Sequence, residues 1–91
     1  MLQIMKKLDG QIVIITGGAR GIGEGICKIF CNEGATVALW DVLEDGQKTV
    51  NDIKADGGSI FFQKVDVTSQ ESVDNAVANI IKNHGKIDVL I

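Results

Sequence analysis

The sequence predicts an α/β fold: a doubly wound parallel sheet in strand order 3-2-1-4, truncated after its fourth strand. Two observations predict it. Four short apolar runs, at residues 11–16, 36–41, 60–65 and 88–91, alternate with three segments of helical spacing. Such alternation with short links produces right-handed crossovers and a parallel sheet. Thr16, the glycine cluster that follows it, Asp41 and Asp66 all fall where these runs end. In an open parallel sheet that carboxyl edge is where ligands sit.

The first run, residues 11–16, leads directly into Thr16-Gly17-Gly18-Ala19-Arg20-Gly21-Ile22-Gly23, a strand feeding a glycine turn that opens a helix. The helix, residues 21–33, places Ile22, Ile26, Ile29 and Phe30 at helical spacing and stops at Gly34. A second strand follows at 36–41. The second helix, 44–56, has a thin apolar stripe in Val50 and Ile53 and ends at Gly57-Gly58. The third strand is 60–65. Thr68-Ser69-Gln70-Glu71 reads as a capping box, with Thr68 and Glu71 satisfying free N–H groups. Behind it Val73, Ala76, Val77, Ile80 and Ile81 repeat as one face of an amphipathic helix. His84, near the end of that helix, fits a dipole role better than a catalytic one. Residues 88–91 form the fourth strand.

Composition excludes several classes. With 45% hydrophobic and 23% charged residues the chain is built for a core, not for disorder. A net charge of −3 without a basic stripe argues against nucleic acid as a partner. No apolar stretch approaches a membrane span, and the basic pair Lys6-Lys7 is not followed by a signal-peptide core. Cys27 and Cys31, four apart on the first helix, are too few to hold a metal. They read as small thiols filling semi-buried positions. A disulfide within one helical turn would be strained, so a reducing, cytoplasmic setting is expected.

The spacing G-x-x-x-G-x-G gives each glycine a separate task. Gly17 allows the tight turn, Gly21 leaves room for a pyrophosphate at the helix start, and Gly23 lets the helix pack closely on the sheet. A purely structural β-α turn would also favour glycine. Asp41, eighteen residues past Gly23, is placed to accept both hydroxyls of an adenosine ribose. Taken alone it would read as a loop acid. The turn and the acid together favour a nucleotide site.

Thr16-Gly17-x-x-x-Gly21-Ile22-Gly23, Asp41, the triplet Asp66-Val67-Thr68 and the ending Gly85-Lys86-Ile87-Asp88-Val89-Leu90-Ile91 resemble the short-chain dehydrogenase/reductase family. The resemblance runs from about Leu8 to Ile91 and is greatest to bacterial 3-oxoacyl-[acyl-carrier-protein] reductases and related alcohol, sugar and hydroxysteroid dehydrogenases. It implies a partial Rossmann domain over residues 1–91, with 1–7 an N-terminal extension. It also implies cofactor-binding roles for Thr16, Gly17, Arg20, Gly21, Ile22, Gly23, Asp41, Asp66 and Val67. Asp66 would accept from the adenine amino group while the Val67 backbone meets the ring; Asp66 also reads as an acid at a helix start beside Thr68. Asp88 corresponds to an acid that steadies the turn into the fourth strand. The glycine spacing disfavours the related nucleotide-sugar epimerases, which show G-x-x-G-x-x-G.

Arg20 and Asp41 pull in opposite directions. A basic residue before the middle glycine occurs in family members that prefer the 2′-phosphorylated cofactor, whereas the carboxylate of Asp41 repels that phosphate. Val42 supplies no second cation, so NAD is expected over NADP. The resemblance further implies hydride transfer between nicotinamide and a carbonyl or alcohol carbon. Its Asn-Asn-Ala-Gly motif would begin where the chain ends, and its catalytic Ser and Tyr-x-x-x-Lys lie further on. The chain contains no tyrosine and no catalytic residue is assigned in it. The expectation is the cofactor-binding front of a larger, homo-oligomeric (dimeric or tetrameric) oxidoreductase, the isolated chain being prone to self-association. A nucleotide-binding module without turnover, or an inert fragment, are the alternatives.

Overall fold

The computed structural model describes residues 7–91, so the expected N-terminal extension lies outside the described residues apart from Lys7. Seven elements alternate: β1 (Ile12–Thr16), α1 (Gly21–Asn32), β2 (Thr36–Asp41), α2 (Asp45–Ala55), β3 (Ser59–Lys64), α3 (Gln70–His84) and β4 (Val89–Leu90). The strands form one sheet in the order β3-β2-β1-β4, every pairing parallel. This is the order the sequence predicts.

The strands read as unbroken apolar runs because both faces of the sheet are covered. Side chains alternate along a strand. Val13, Ile15, Val37, Leu39 and Ile60 therefore meet Cys27 and Cys31 of α1 and Val50 and Ile53 of α2 on one face. On the other, Ile12, Ile14, Ala38 and Trp40 pack against Ala76 and Ile80 of α3. The inner pair β1 and β2 is buried on both faces up to its carboxyl ends at Thr16 and Asp41.

The pairing of β4 extends beyond its two named residues. Asp88 N–H donates to Ile12 O at 2.8 Å, Ile91 N–H to Ile14 O at 2.9 Å and Thr16 N–H to Ile91 O at 2.9 Å. The remaining boundaries shift by a residue: β1 begins at Ile12, α1 stops at Asn32, α2 is trimmed at both ends and β3 starts at Ser59.

Expectations on two helices need correction. On α1 the apolar stripe is not the buried one: Ile22 and Ile29 are 85% and 61% exposed, while Cys27 and Cys31 are buried. Gly23, Cys27 and Cys31 recur every fourth residue, and the close seating of Gly23 on the turn rotates this row of small side chains inward, with Ile26 and Phe30 half-buried beside it. The thiols are core residues, not semi-buried ones; burial, with repulsion from Cys31 second, pushes the Cys27 thiol up to about 12. On α3, Ile81 lies on the exposed side, and the cap is Ser69, whose Oγ accepts from Ser72 N–H at 3.2 Å. Thr68 instead donates its hydroxyl to Asp66 Oδ1 at 2.6 Å. A carboxylate is the stronger acceptor, so it captures the threonine and the cap moves one residue along.

Candidate functional site

The site is built from the ends of β1, β2 and β3. Beyond Thr16 the chain turns through Gly17 (φ +67°) and Gly21 (φ +56°), left-handed conformations that favour glycine. Gly17 N–H donates to Trp40 O at 2.8 Å, which fixes the turn against β2. A side chain at Gly23 would collide with the Gly17 carbonyl and lie 2.8 Å from Gly18 Cα. The close approach predicted for Gly23 is therefore between helix and turn, not between helix and strand. At Gly21 a Cβ would meet no atom within 4 Å, and no side chain caps the start of α1.

Asp41 ties this turn to the loop after β2. Its Oδ2 accepts from Ala19 N–H at 3.2 Å and its Oδ1 from Leu43 N–H at 3.0 Å. An ionised carboxylate has about four acceptor positions, so each oxygen keeps capacity for another donor. Asp66 is arranged similarly. Its Oδ1 accepts from the hydroxyl and, at 2.9 Å, the N–H of Thr68, and these bonds hold its carboxyl below the usual carboxylate range.

Thr16, Gly17, Trp40, Asp41, Asp66 and Val67 line one cleft of about 330 Å³ at the carboxyl edge. Its floor is the buried Trp40, whose Nε1–H donates to Gln63 Oε1 at 2.7 Å. Beside it an apolar hollow of about 360 Å³ runs past Val73 to Leu90 and Ile91 of the β4 ladder. Five of the nine residues expected at a cofactor site thus share one cleft, and Gly21, Ile22 and Gly23 form the first helical turn at the end of the loop.

The model of the short chain dehydrogenase family matches residues 11–91. The chain belongs to the short-chain dehydrogenase family. Among curated relatives of this family it is 41% identical over 85 residues to the 3-oxoacyl-[acyl-carrier-protein] reductase FabG of Chlamydia pneumoniae, covering 92% of this chain and 34% of that protein. Among solved structures it superposes on the citronellol catabolism dehydrogenase AtuB of Pseudomonas aeruginosa with a TM-score of 0.91 and 36% identity, covering 98% of this chain and 38% of that one. Two further solved relatives carry cofactors. A metagenomic short-chain oxidoreductase is in complex with NADP (TM-score 0.86, 30% identity, 91% and 38% covered). A putative D-mannonate oxidoreductase from Haemophilus influenza has bound NAD (TM-score 0.86, 26% identity, 91% and 30% covered). The chain spans about a third of the length of the curated relatives it matches.

In this short-chain dehydrogenase chain Arg20 stands apart from the cleft. Its Nε and Nη2 contact Asp45 Oδ2 at 3.0 and 2.8 Å, beside a wider concavity of about 520 Å³ between α1 and α2. Thr16 directs its hydroxyl at Ile91 O, 2.9 Å away. Asp88 accepts from Ile12 N–H at 2.8 Å and pairs with Lys86 at 3.1 Å, tying β4 to the start of β1. His84, in the last turn of α3, stacks on Phe61 with ring centroids 5.2 Å apart. Thr49, absent from the residues expected at the site, is a buried hydroxyl on α2 that donates to Ala19 O at 2.7 Å. Its signal was a threonine beside Val50 in an otherwise apolar stripe. Among the described residues no helix is long and apolar enough to cross a membrane.

Proposed function

We propose that residues 1–91 are the cofactor-binding portion of an NAD(H)-dependent short-chain oxidoreductase. The observation that carries this reading is the convergence of Thr16, Gly17, Asp41, Asp66 and Val67 on one cleft beside an uncapped helix start. The cradle fits a pyrophosphate, because Gly21 places no side chain at the helix start, where a Cβ would meet open space, and helix N-termini attract anions. When bound, the nicotinamide supplies the hydride exchanged with a carbonyl or alcohol carbon. The chain's residues bind and orient. Asp41 receives the adenosine ribose hydroxyls on the acceptor positions its two backbone bonds leave free, and Asp66 and Val67 border the adenine.

NAD is the preferred form in this reading. A 2′-phosphate about 4 Å from the Asp41 carboxylate would be repelled by roughly 4 kcal/mol per unit charge at an effective dielectric near 20, before salt screening. The finer substrate reading, a 3-oxoacyl-[acyl-carrier-protein] reductase, is supported by the 41% identical relative. The chain has no tyrosine, so these 91 residues alone are not expected to turn over NADH with an acetoacetyl thioester. The whole enzyme is proposed to be a cytoplasmic homo-oligomer.

Calorimetric titration with NAD and NADP tests the assignment. Wild type should bind NAD more tightly. Asp41→Ser should weaken NAD by at least tenfold, since each charged hydrogen bond is worth about 1.5–3 kcal/mol, while NADP affinity rises. Tighter NADP binding by wild type would reduce Asp41 to a loop acid.

A further inference from the structure

The ion pair between α1 and α2 bears on how this site selects its cofactor. Arg20 is the N-cap residue of α1, next to the open helix start, and its guanidinium carries the cation nearest in sequence to the expected phosphate site. It is turned away from the cleft, with two nitrogens on one oxygen of Asp45, the first residue of α2. The backbone around it is held in place. Ala19 N–H is bound by Asp41 and Ala19 O by the buried Thr49 of α2, so the Arg20 side chain departs from a fixed point. Asp45 and Thr49 lie four residues apart on one face of α2. That face braces the turn with one residue and holds the arginine with the other.

We infer that Asp45 is a specificity-determining residue for the dinucleotide, holding Arg20 away from the 2′ position so that NADP loses a cationic contact. The inference rests on the proposed dinucleotide reading and adds to it a second acid that does not itself touch the cofactor. Asp41 excludes the 2′-phosphate by direct repulsion, whereas Asp45 acts by competing for the only guanidinium in the chain. The pair is solvent-exposed, with side-chain exposures of 66% and 56%. Exposed pairs are worth little individually, so the competition should change NADP affinity by about two- to fivefold, most at low salt where the pair is least screened.

The test is a double-mutant cycle read by calorimetric dissociation constants for NAD and NADP. Wild type, Asp45→Asn, Arg20→Gln and the double variant are compared at about 20 mM and 200 mM salt, bracketing a Debye length near 10 Å. Asp45→Asn should tighten NADP two- to fivefold at low salt and leave NAD within twofold. Arg20→Gln alone should change NADP little, and in the double variant the gain should vanish. An unchanged NADP to NAD ratio in Asp45→Asn would overturn the role of Asp45 while leaving NAD binding intact. So would a gain that persists without Arg20, because simple removal of a negative charge would then account for it. Binding of neither dinucleotide by any variant would overturn both this inference and the reading beneath it.

Discussion

At the scale of single residues, Gly21 and Gly23 have the same chemistry and separable consequences. Gly21 sits at φ +56° with open space before it, so an alanine there meets no protein atom and incurs about 1–2 kcal/mol of left-handed strain. Its methyl group would stand where a pyrophosphate must come. Gly23→Ala drives a methyl group into the Gly17 carbonyl and should cost about 1–3 kcal/mol in overpacking. Urea unfolding and NAD titration of the two variants should therefore diverge: Gly21→Ala loses at least tenfold in affinity with a small drop in stability, and Gly23→Ala chiefly loses stability. Asp41 carries two tasks, since it also binds Ala19 and Leu43. Asp41→Asn keeps an acceptor for one of those N–H groups, so it should unfold at higher urea than Asp41→Ser while still losing discrimination against NADP. The glycine spacing and both acids were legible from sequence because they rest on local offsets. The bonds from Asp41 to Ala19 and from Thr49 to Ala19 O were not, because they join residues 22 and 30 positions apart.

At the scale of elements, the cap of α3 and the tie from β4 to β1 set the local stability. Ser69→Ala should cost about 1 kcal/mol through the lost N-cap. Thr68→Ala should leave the cap standing and release Asp66 toward ordinary carboxylate behaviour, readable by NMR titration. The pH dependence has a definite sign. The Ile12 N–H and then Lys86 hold Asp88 below the usual carboxylate range, and Thr68 does the same for Asp66. Both groups thus contribute stability that is complete above the unfolded value of about 3.9 and is lost as pH falls through the lower folded values. Melting temperature should drop as pH falls below about 4, and Asp88→Asn should flatten that limb. The buried face of α1 is not legible from its isoleucines, because their spacing carries no information about which face a close backbone contact will turn inward. Gly23, Cys27 and Cys31 held the information as a row of small residues.

At the scale of the whole molecule, strand order was legible because alternation and handedness leave few parallel topologies. The expected self-association of the chain depends on which surfaces remain bare. Leu90 and Ile91 are 65% and 45% exposed beside the apolar hollow that they share with Val67 and Val73, and an apolar edge strand invites pairing with another chain. Sedimentation of the 91-residue chain should therefore show concentration-dependent association, weakened by Leu90→Lys. A strictly monomeric chain at several hundred micromolar would count against this. The central claim, that the carboxyl edge of this sheet receives a dinucleotide, is tested most directly by following the amide resonances of ¹⁵N-labelled wild-type chain through a titration with NAD. The account predicts saturable shifts at Gly17, Gly21, Ile22, Gly23, Asp41, Asp66 and Val67, with Cys31 and Gly58 unmoved. Absence of shifts, or shifts confined to Glu44, Lys48 and Asp52 around the concavity between α1 and α2, would contradict it.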